Sequence, residues 1–163
     1  MDSETILGEP RASGAYVLRI CVEEPLALSF GRFQGGRAVP LAVGEYAYVG
    51  SAMGVAGSSA LARRVLRHAT RSGFDPPHAV RTVLLERLQT AGLLEQTAAH
   101  PSVKRLRWHV DYLLDHSSVH LTGVLLVCSA TRQEAALAHL IAADPLTVAP
   151  AIGLGASDAP GAT

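Results

Sequence analysis

The stretch at 119–129, VHLTGVLLVCS, is strongly apolar and rich in β-branched residues. This composition predicts a β-strand that is buried on both faces. Alternating or β-rich segments predict further strands at 15–23, 26–33, 38–41 and 45–49. Because only short turns separate the early segments, we expect mainly antiparallel pairing.

Apolar residues at helical spacing predict four helices, at about 60–71, 80–90, 107–116 and 131–142. Together with the strands they indicate an α/β chain of the α+β type, with a small, mainly antiparallel central sheet flanked by helices. The length of 163 residues suits one compact domain.

The composition changes at both ends of the chain. We expect a flexible leader at 1–13, a single domain at 14–158 and a disordered tail at 159–163, because the last residues are rich in Pro, Gly and Ala. The acidic N-terminus has no long apolar stretch, and no segment is long enough to span a bilayer. The two cysteines form no CxxC pair, which favours free thiols in the cytoplasm.

Charge is distributed unevenly along the chain. The formal net charge of +0 argues against a nucleic-acid-binding domain, since such domains are usually basic. The middle of the chain is nevertheless basic: it holds Arg63, Arg64, Arg67, Arg71, Arg81, Arg87, Lys104, Arg105 and Arg107, but only Asp75, Glu86 and Glu95 as acids. This distribution predicts a local anion-binding face.

The stretch GEYAYVGSA places Tyr46 and Tyr48 two residues apart on a predicted strand, which then ends at Gly50 and Ser51. Residues two apart on a strand share a face. The rings therefore either fill a core or form the floor of a site. Without a side chain, Gly50 would leave room for a phosphate to approach the backbone.

The predicted helix ALARRVLRH carries a second candidate group. Arg64 and His68 are four residues apart and share a helix face, and Arg63, Arg67 and Arg71 form an adjacent stripe. The simpler interpretation is a solvated basic face. The alternative is phosphate binding by a planar guanidinium, with a histidine one turn away to orient a water or a leaving group.

The segment RWHVDYLLD contains His109 and Asp111, whose types suggest a metal site. Residues two apart on a helix diverge, however, so the two cannot readily hold one ion. A packing stripe with a capping or paired aspartate explains the same pattern.

Glu134 also has two interpretations. It lies three residues after Thr131 as in a capping box, or it provides the one carboxylate that a hard cation such as Mg²⁺ needs besides water and phosphate oxygens.

Five strings in order carry a resemblance to a known family: GAYVL, YAYVGSA, RVLRH, WHVDYLL and GLGASD. They resemble the GIY-YIG nuclease superfamily, and in particular its small GIY-YIG-like subgroup that is sometimes fused to endonuclease III. The resemblance runs from Gly14 to Asp158. Two departures are an apparent insertion at about 72–105 and Ala159, where the subgroup has a cysteine that begins a longer tail.

The resemblance implies a metal-dependent endonuclease that hydrolyses phosphodiester bonds in DNA, with a role in DNA repair and a repair enzyme as a possible partner. It implies Tyr16, Tyr48, Arg64 and His68 as catalytic residues, and Glu134 as the ligand of one Mg²⁺ or Mn²⁺. A tyrosine hydroxyl would help to deprotonate the attacking water. Substrate contacts are expected from Gly50, Ser51, Arg67, Arg71, His109 and Asp111.

Two other functions remain open on the sequence: a non-catalytic nucleic-acid-binding module with the same fold, and a protein-interaction domain. The nuclease hypothesis requires that Tyr16, Tyr48, Arg64 and Glu134 converge on one pocket.

Overall fold

The computed structural model describes residues 4–96 and 104–154. Numbered in chain order, its strands are β1 Glu4–Leu7, β2 Gly14–Val22, β3 Leu26–Ser29, β4 Ala38–Leu41, β5 Gly44–Ala52 and β6 Val119–Cys128. The α-helices are α1 Leu61–His68, α2 Val80–Thr90, α3 His109–Leu114 and α4 Glu134–Ala142. In this described part of the chain, no helix combines the length and apolar composition of a membrane span.

A four-stranded sheet in the order β1-β6-β2-β5 forms the centre of the fold. β6 pairs in parallel with β1 and antiparallel with β2, and β2 pairs antiparallel with the edge strand β5. β3 and β4 form a separate antiparallel pair. The predicted α+β fold, with a mainly antiparallel central sheet and flanking helices, is confirmed.

The core lies on one face of β2. Tyr16, Leu18, Ile20 and Val22 are all buried and pack in one cluster with apolar residues of α1, α2 and α3. Burial of each large aliphatic side chain contributes about 1.5–3 kcal/mol to stability. This alternation fixes the register, because a shift of one residue would turn the exposed Arg19 into the core.

β6 differs from the prediction of a strand buried on both faces. Leu121, Val124 and Leu126 are buried, whereas Leu125 and Val127 on the other face are only half-buried. The pairing with β2 shifts between Arg19 and Ile20, so that β6 carries one extra residue there. This bulge lets the odd-numbered Leu121 and the even-numbered Val124 face the same core.

The N-terminal segment predicted as a flexible leader contributes a strand to the sheet. Glu4–Leu7 pairs with residues 124–127 of β6 and closes that side of the sheet. Four residues are too short for a periodic pattern, so the pairing partner decides their conformation. The predicted tail at 159–163 lies outside the described residues.

The segment at 72–105, predicted as an insertion, supplies part of the core. Leu84 and Leu88 of α2 are fully buried, and Val80 is buried beside them. Val83 of the same helix is 45% exposed. α2 is therefore an integral layer of the domain.

His78, just before α2, connects α3 to β6. Its Nε2 lies 2.9 Å from the carbonyl oxygen of Leu114, and the backbone N–H of Leu121 donates to its Nδ1 at 3.1 Å. The neutral imidazole satisfies both contacts. Burial and the nearby charge of Arg71 lower the pKa of His78 to about 4.

The low pKa of His78 predicts loss of stability in mild acid. The unfolded chain binds a proton at His78 near pH 6.5, whereas the folded chain does so only near pH 4. Stability is therefore complete above pH 6.5 and falls as the pH drops toward 4, by up to about 3 kcal/mol from this residue. Urea unfolding between pH 4 and 7.5 measures this loss of stability.

His78→Gln should remove this part of the pH dependence, so its stability deficit against wild type is largest at pH 7 and shrinks toward pH 4. His139→Gln, on an exposed position of α4, is the matched control. A deficit that stays constant over this range would contradict the assignment.

Candidate functional site

The antiparallel pairing of β2 and β5 brings two tyrosines together. Tyr16 lies opposite Gly50 and Tyr48 lies opposite Leu18, on the same face of the sheet. The ring centroids of Tyr16 and Tyr48 are 6.3 Å apart. Tyr46 is further along the same face, and its hydroxyl donates to the carbonyl oxygen of Ala42 at 2.9 Å.

Gly50 is required by the ring of Tyr16. A Cβ on Gly50 would lie 2.5 Å from both Cζ and Oη of Tyr16. The space that the sequence assigned to an approaching phosphate is therefore filled by the phenol itself. Gly50 shapes the site by leaving room for the Tyr16 ring next to β5.

The hydroxyl of Tyr16 begins a buried hydrogen-bonded chain. Tyr16 Oη lies 3.0 Å from His68 Nε2, and His68 Nδ1 lies 3.1 Å from Asp111 Oδ1. All three residues are buried, at 1% exposure or less. We call this group the Tyr16–His68–Asp111 chain; it joins β2, α1 and α3.

Burial is the main cause of the altered pKa values in this chain. It raises the pKa of Tyr16 far above its usual value, and the nearby Tyr48 and Glu134 add to that rise while Arg64 opposes it. Burial also lowers the pKa of His68. For Asp111, burial alone would raise the pKa, but the contact with His68 and the charge of Lys104 hold it well below its usual range.

These directions define the proton positions. An ionised Asp111 can only accept, so the proton of neutral His68 is on Nδ1. The bare Nε2 then accepts the hydrogen bond that the Tyr16 hydroxyl donates.

Asp111 organises its surroundings and does not face solvent. Arg67 Nη1 lies 3.0 Å from each of its carboxylate oxygens, and Lys104 Nζ is 3.5 Å from Oδ1. The backbone N–H groups of Arg107 and Trp108 donate to Oδ2 at 2.9 and 3.0 Å, at the start of α3. The structure thus gives this predicted substrate contact a positioning role.

Two other predicted substrate contacts lie elsewhere. Arg71 is buried, and its guanidinium donates at 2.7 Å to the carbonyl oxygens of His116 and Val119. His109 packs its ring edge-on against Phe33, with centroids 5.5 Å apart, and against Phe30. The structure brings neither residue to the Tyr16–His68–Asp111 chain.

Arg64 and Glu134 meet at Ser51, near the end of β5. Arg64 Nη1 donates to the carbonyl oxygen of Ser51 at 3.0 Å, and its Nε donates to that of Ser58 at 3.1 Å. The hydroxyl of Ser51 donates to the Glu134 carboxylate. Alternation places the Ser51 side chain on the face of β5 opposite Tyr16.

Glu134 does not take part in the predicted capping box. α4 begins at Glu134 itself, with Gln133 as the preceding cap residue and no side-chain cap. The hydroxyl of Thr131 instead contacts the side chains of Ser129 and Gln133. The Glu134 carboxylate points back toward β5, as a metal-binding role requires.

The carboxylate of Glu134 fits a hard cation better than a zinc-type centre. In residues 4–96 and 104–154, no group of three or more His, Cys, Asp or Glu side chains could hold a metal ion. Glu134 offers one carboxylate beside the hydroxyl oxygen of Ser51. Mg²⁺ is often held by one or two carboxylates together with waters and substrate phosphates.

Sequence reasoning missed two residues that shape the site. Trp108 is contacted edge-on by His68, with centroids 5.7 Å apart, and the guanidinium of Arg64 lies 4.4 Å from its ring centroid. Its place among arginines in RLRWH is a signal that could have been used. The second residue, Lys104, follows a stretch of sequence without a periodic pattern, which gives no sign that Lys104 is buried.

A protein-family model, the domain of unknown function DUF123, matches residues 15–163. The chain belongs to this family. No curated protein and no solved structure matches the chain. The family description assigns no activity, so the functional argument depends on the geometry of the site.

The hydrogen-bonded chain predicts one tautomer of His68. At pH 7 the ring should be neutral, with its proton on Nδ1, because Asp111 accepts that proton's hydrogen bond. Long-range ¹H–¹⁵N correlation spectra distinguish protonated from bare ring nitrogens. In Asp111→Asn the preference should weaken, because an amide can also donate. A dominant Nε2–H form in the wild type would refute the chain.

The close contact between Gly50 and Tyr16 predicts a steric penalty. Gly50→Ala should destabilise the protein by about 1–3 kcal/mol or more, because the new methyl group meets a buried ring. Urea unfolding in a Tyr16→Leu background should show a much smaller penalty. Ala47→Ser, at an exposed position of β5, is the control. An equal penalty in both backgrounds would assign the cost to the backbone instead.

Proposed function

We propose that this protein is a divalent-metal-dependent endonuclease of the GIY-YIG type that hydrolyses phosphodiester bonds in DNA during repair. The observation that carries this proposal is the grouping of Tyr16 and Tyr48 with His68 and Arg64, from β2, β5 and α1. Glu134 of α4 joins them through Ser51. A packing role alone does not explain why Arg64 and Glu134 both bind Ser51, one residue from the Gly50 that contacts Tyr16.

Arg64 is positioned to neutralise charge on the phosphate that reacts. Its Nε and Nη1 are held by two backbone carbonyls, and its face rests on Trp108. Among the described residues, Nη2 has no hydrogen-bonding partner and can donate to a phosphate oxygen. A fixed donor of this kind stabilises the transition state without reorganising.

The Tyr16–His68–Asp111 chain provides a route for the proton of the attacking water. With its raised pKa, Tyr16 is almost never ionised at neutral pH, so it does not act as a preformed phenolate base. It can accept the water proton while it passes its own to Nε2 of His68, and the Asp111 carboxylate stabilises the imidazolium that forms. The resemblance implied a tyrosine hydroxyl for this step and His68 as a further catalytic residue; their hydrogen bond supports a shared role.

Glu134 would hold one Mg²⁺ or Mn²⁺, with Ser51 beside it. When bound, the ion supplies positive charge that stabilises the leaving oxygen. The hydroxyl of Ser51, which donates to this carboxylate, orients it toward the end of β5.

One observation favours a second function, a nucleic-acid-binding module without catalysis. Tyr16 is 1% exposed, so a water that reaches its hydroxyl must first gain access to the interior. In a binding module the Tyr16–His68–Asp111 chain would serve only to hold α1 and α3 against the sheet. The two functions differ in whether bound DNA is cut.

Metal-dependent nicking of fluorescent single-stranded, branched and damaged DNA tests the proposal. Wild-type protein should nick with Mg²⁺ or Mn²⁺ and not with EDTA. Arg64→Ala should lower the single-turnover rate by about 10²–10³-fold, as expected for loss of one transition-state donor. Glu134→Gln should abolish nicking while DNA binding in EDTA persists.

Arg63→Ala is the matched control. The Arg63 guanidinium belongs to the neighbouring residue in the sequence but lies outside these contacts, so this variant should keep nearly full activity. Binding without nicking of any of these substrates would favour the binding module. Absence of both nicking and binding would refute both nucleic-acid functions and leave a protein-interaction domain.

A further inference from the structure

A second concave site adjoins Arg64 on the side of α3. It has a volume of about 450 Å³ and is lined by Ser58, Arg67, Arg105, Arg107 and Trp108. We call it the arginine pocket. Its size is within the range of small-molecule sites, and its lining has the composition of an anion site.

Trp108 holds the guanidinium groups in place. Besides Arg64, the guanidinium carbons of Arg67 and Arg107 lie 4.6 and 5.1 Å from the centroid of its ring. Cation–π contacts of this kind are worth roughly 0.5–1 kcal/mol each at exposed sites. They keep like charges close together without an acidic partner for each.

The charges around the pocket do not cancel. Among the described residues, Asp111 is the one acid paired with Arg67. It also faces His68 and Lys104, and Lys104 pairs with Asp115 as well. Arg105 and Arg107 are exposed, and within 4–96 and 104–154 neither forms an ion pair with an acid. The net positive charge of the pocket therefore comes mainly from Arg105 and Arg107, which lie beside the paired guanidinium of Arg67.

The pocket is continuous with the candidate catalytic group. Arg64 donates to the carbonyl of Ser58, which lines the pocket, and its guanidinium lies over Trp108, which forms a wall. The same guanidinium donates to Ser51, the residue that contacts Glu134. A ligand that extends from Glu134 past Arg64 would enter the pocket directly.

We infer that the arginine pocket binds a backbone phosphate of a nucleic-acid strand, next to the phosphate that Arg64 contacts. This inference rests on the proposed function, which sets the direction in which the nucleic-acid strand crosses the site. Guanidinium groups recognise phosphate by charge and paired N–H donors, so the contact is independent of base sequence. The pocket anchors the strand beside the reacting bond and takes no part in the chemistry.

Salt dependence of binding tests the pocket apart from cleavage. Binding of fluorescein-labelled single-stranded 12-mers, one all-thymidine and one of mixed sequence, is followed by anisotropy in EDTA at several salt concentrations. In Arg105→Gln/Arg107→Gln, the slope of log K against log [salt] should become less negative by about 0.7, the value for one lost phosphate contact on a single strand. Binding of the two oligonucleotides should weaken equally.

Arg37→Gln/Arg87→Gln makes the same change of charge outside the pocket and should keep the wild-type slope. Both pairs replace exposed side chains, and thermal unfolding verifies that each variant is folded. An unchanged slope in the pocket variant, or the same change in the control, would overturn the inference.

The nicking assay separates the two proposals. If the pocket variant shows the expected slope change but the wild-type protein never nicks, the nuclease is refuted and the pocket is kept. Normal nicking by the wild type, together with a wild-type salt slope in the pocket variant, refutes the pocket and keeps the nuclease. A wild type that binds neither oligonucleotide refutes the pocket.

Discussion

The buried carboxylate of Asp111 is the interaction on which the rest of the site depends. It accepts from His68 and Arg67 of α1 and from the first backbone N–H groups around α3. Burial of an ionised carboxylate is costly unless it is paired and hydrogen-bonded, so these partners must be in place together. Asp111 therefore fixes α1 against α3, and with them the direction of His68 and Arg67.

The same carboxylate connects packing to chemistry. By holding the proton on Nδ1 of His68, it leaves Nε2 to receive the hydroxyl proton of Tyr16. Tyr16 is at once part of the hydrophobic core and the end of a polar chain. The two interpretations of the tyrosine-rich strand, core or site, are thus not exclusive, because a phenol can bury its ring and keep its hydroxyl paired.

The sequence grouped site residues more successfully when they lie on the same helix or strand than when they lie on different ones. Helical spacing correctly placed Arg64 and His68 on one turn of α1. The same spacing suggested that Arg71 continues the stripe, yet α1 ends at His68 and Arg71 turns inward to two carbonyl groups. Where an element ends depends on what it packs against, and periodicity contains no information about that.

Sequence alone determined the α+β fold class and most of the strands and helices. Periodic patterns suffice for these because they record which side of an element avoids water. Only the tertiary structure decided that Glu4–Leu7 is a strand, that Gly50 makes room for Tyr16, and that Glu134 faces Ser51. These facts depend on contacts between residues 34 to 120 positions apart, which no local pattern encodes.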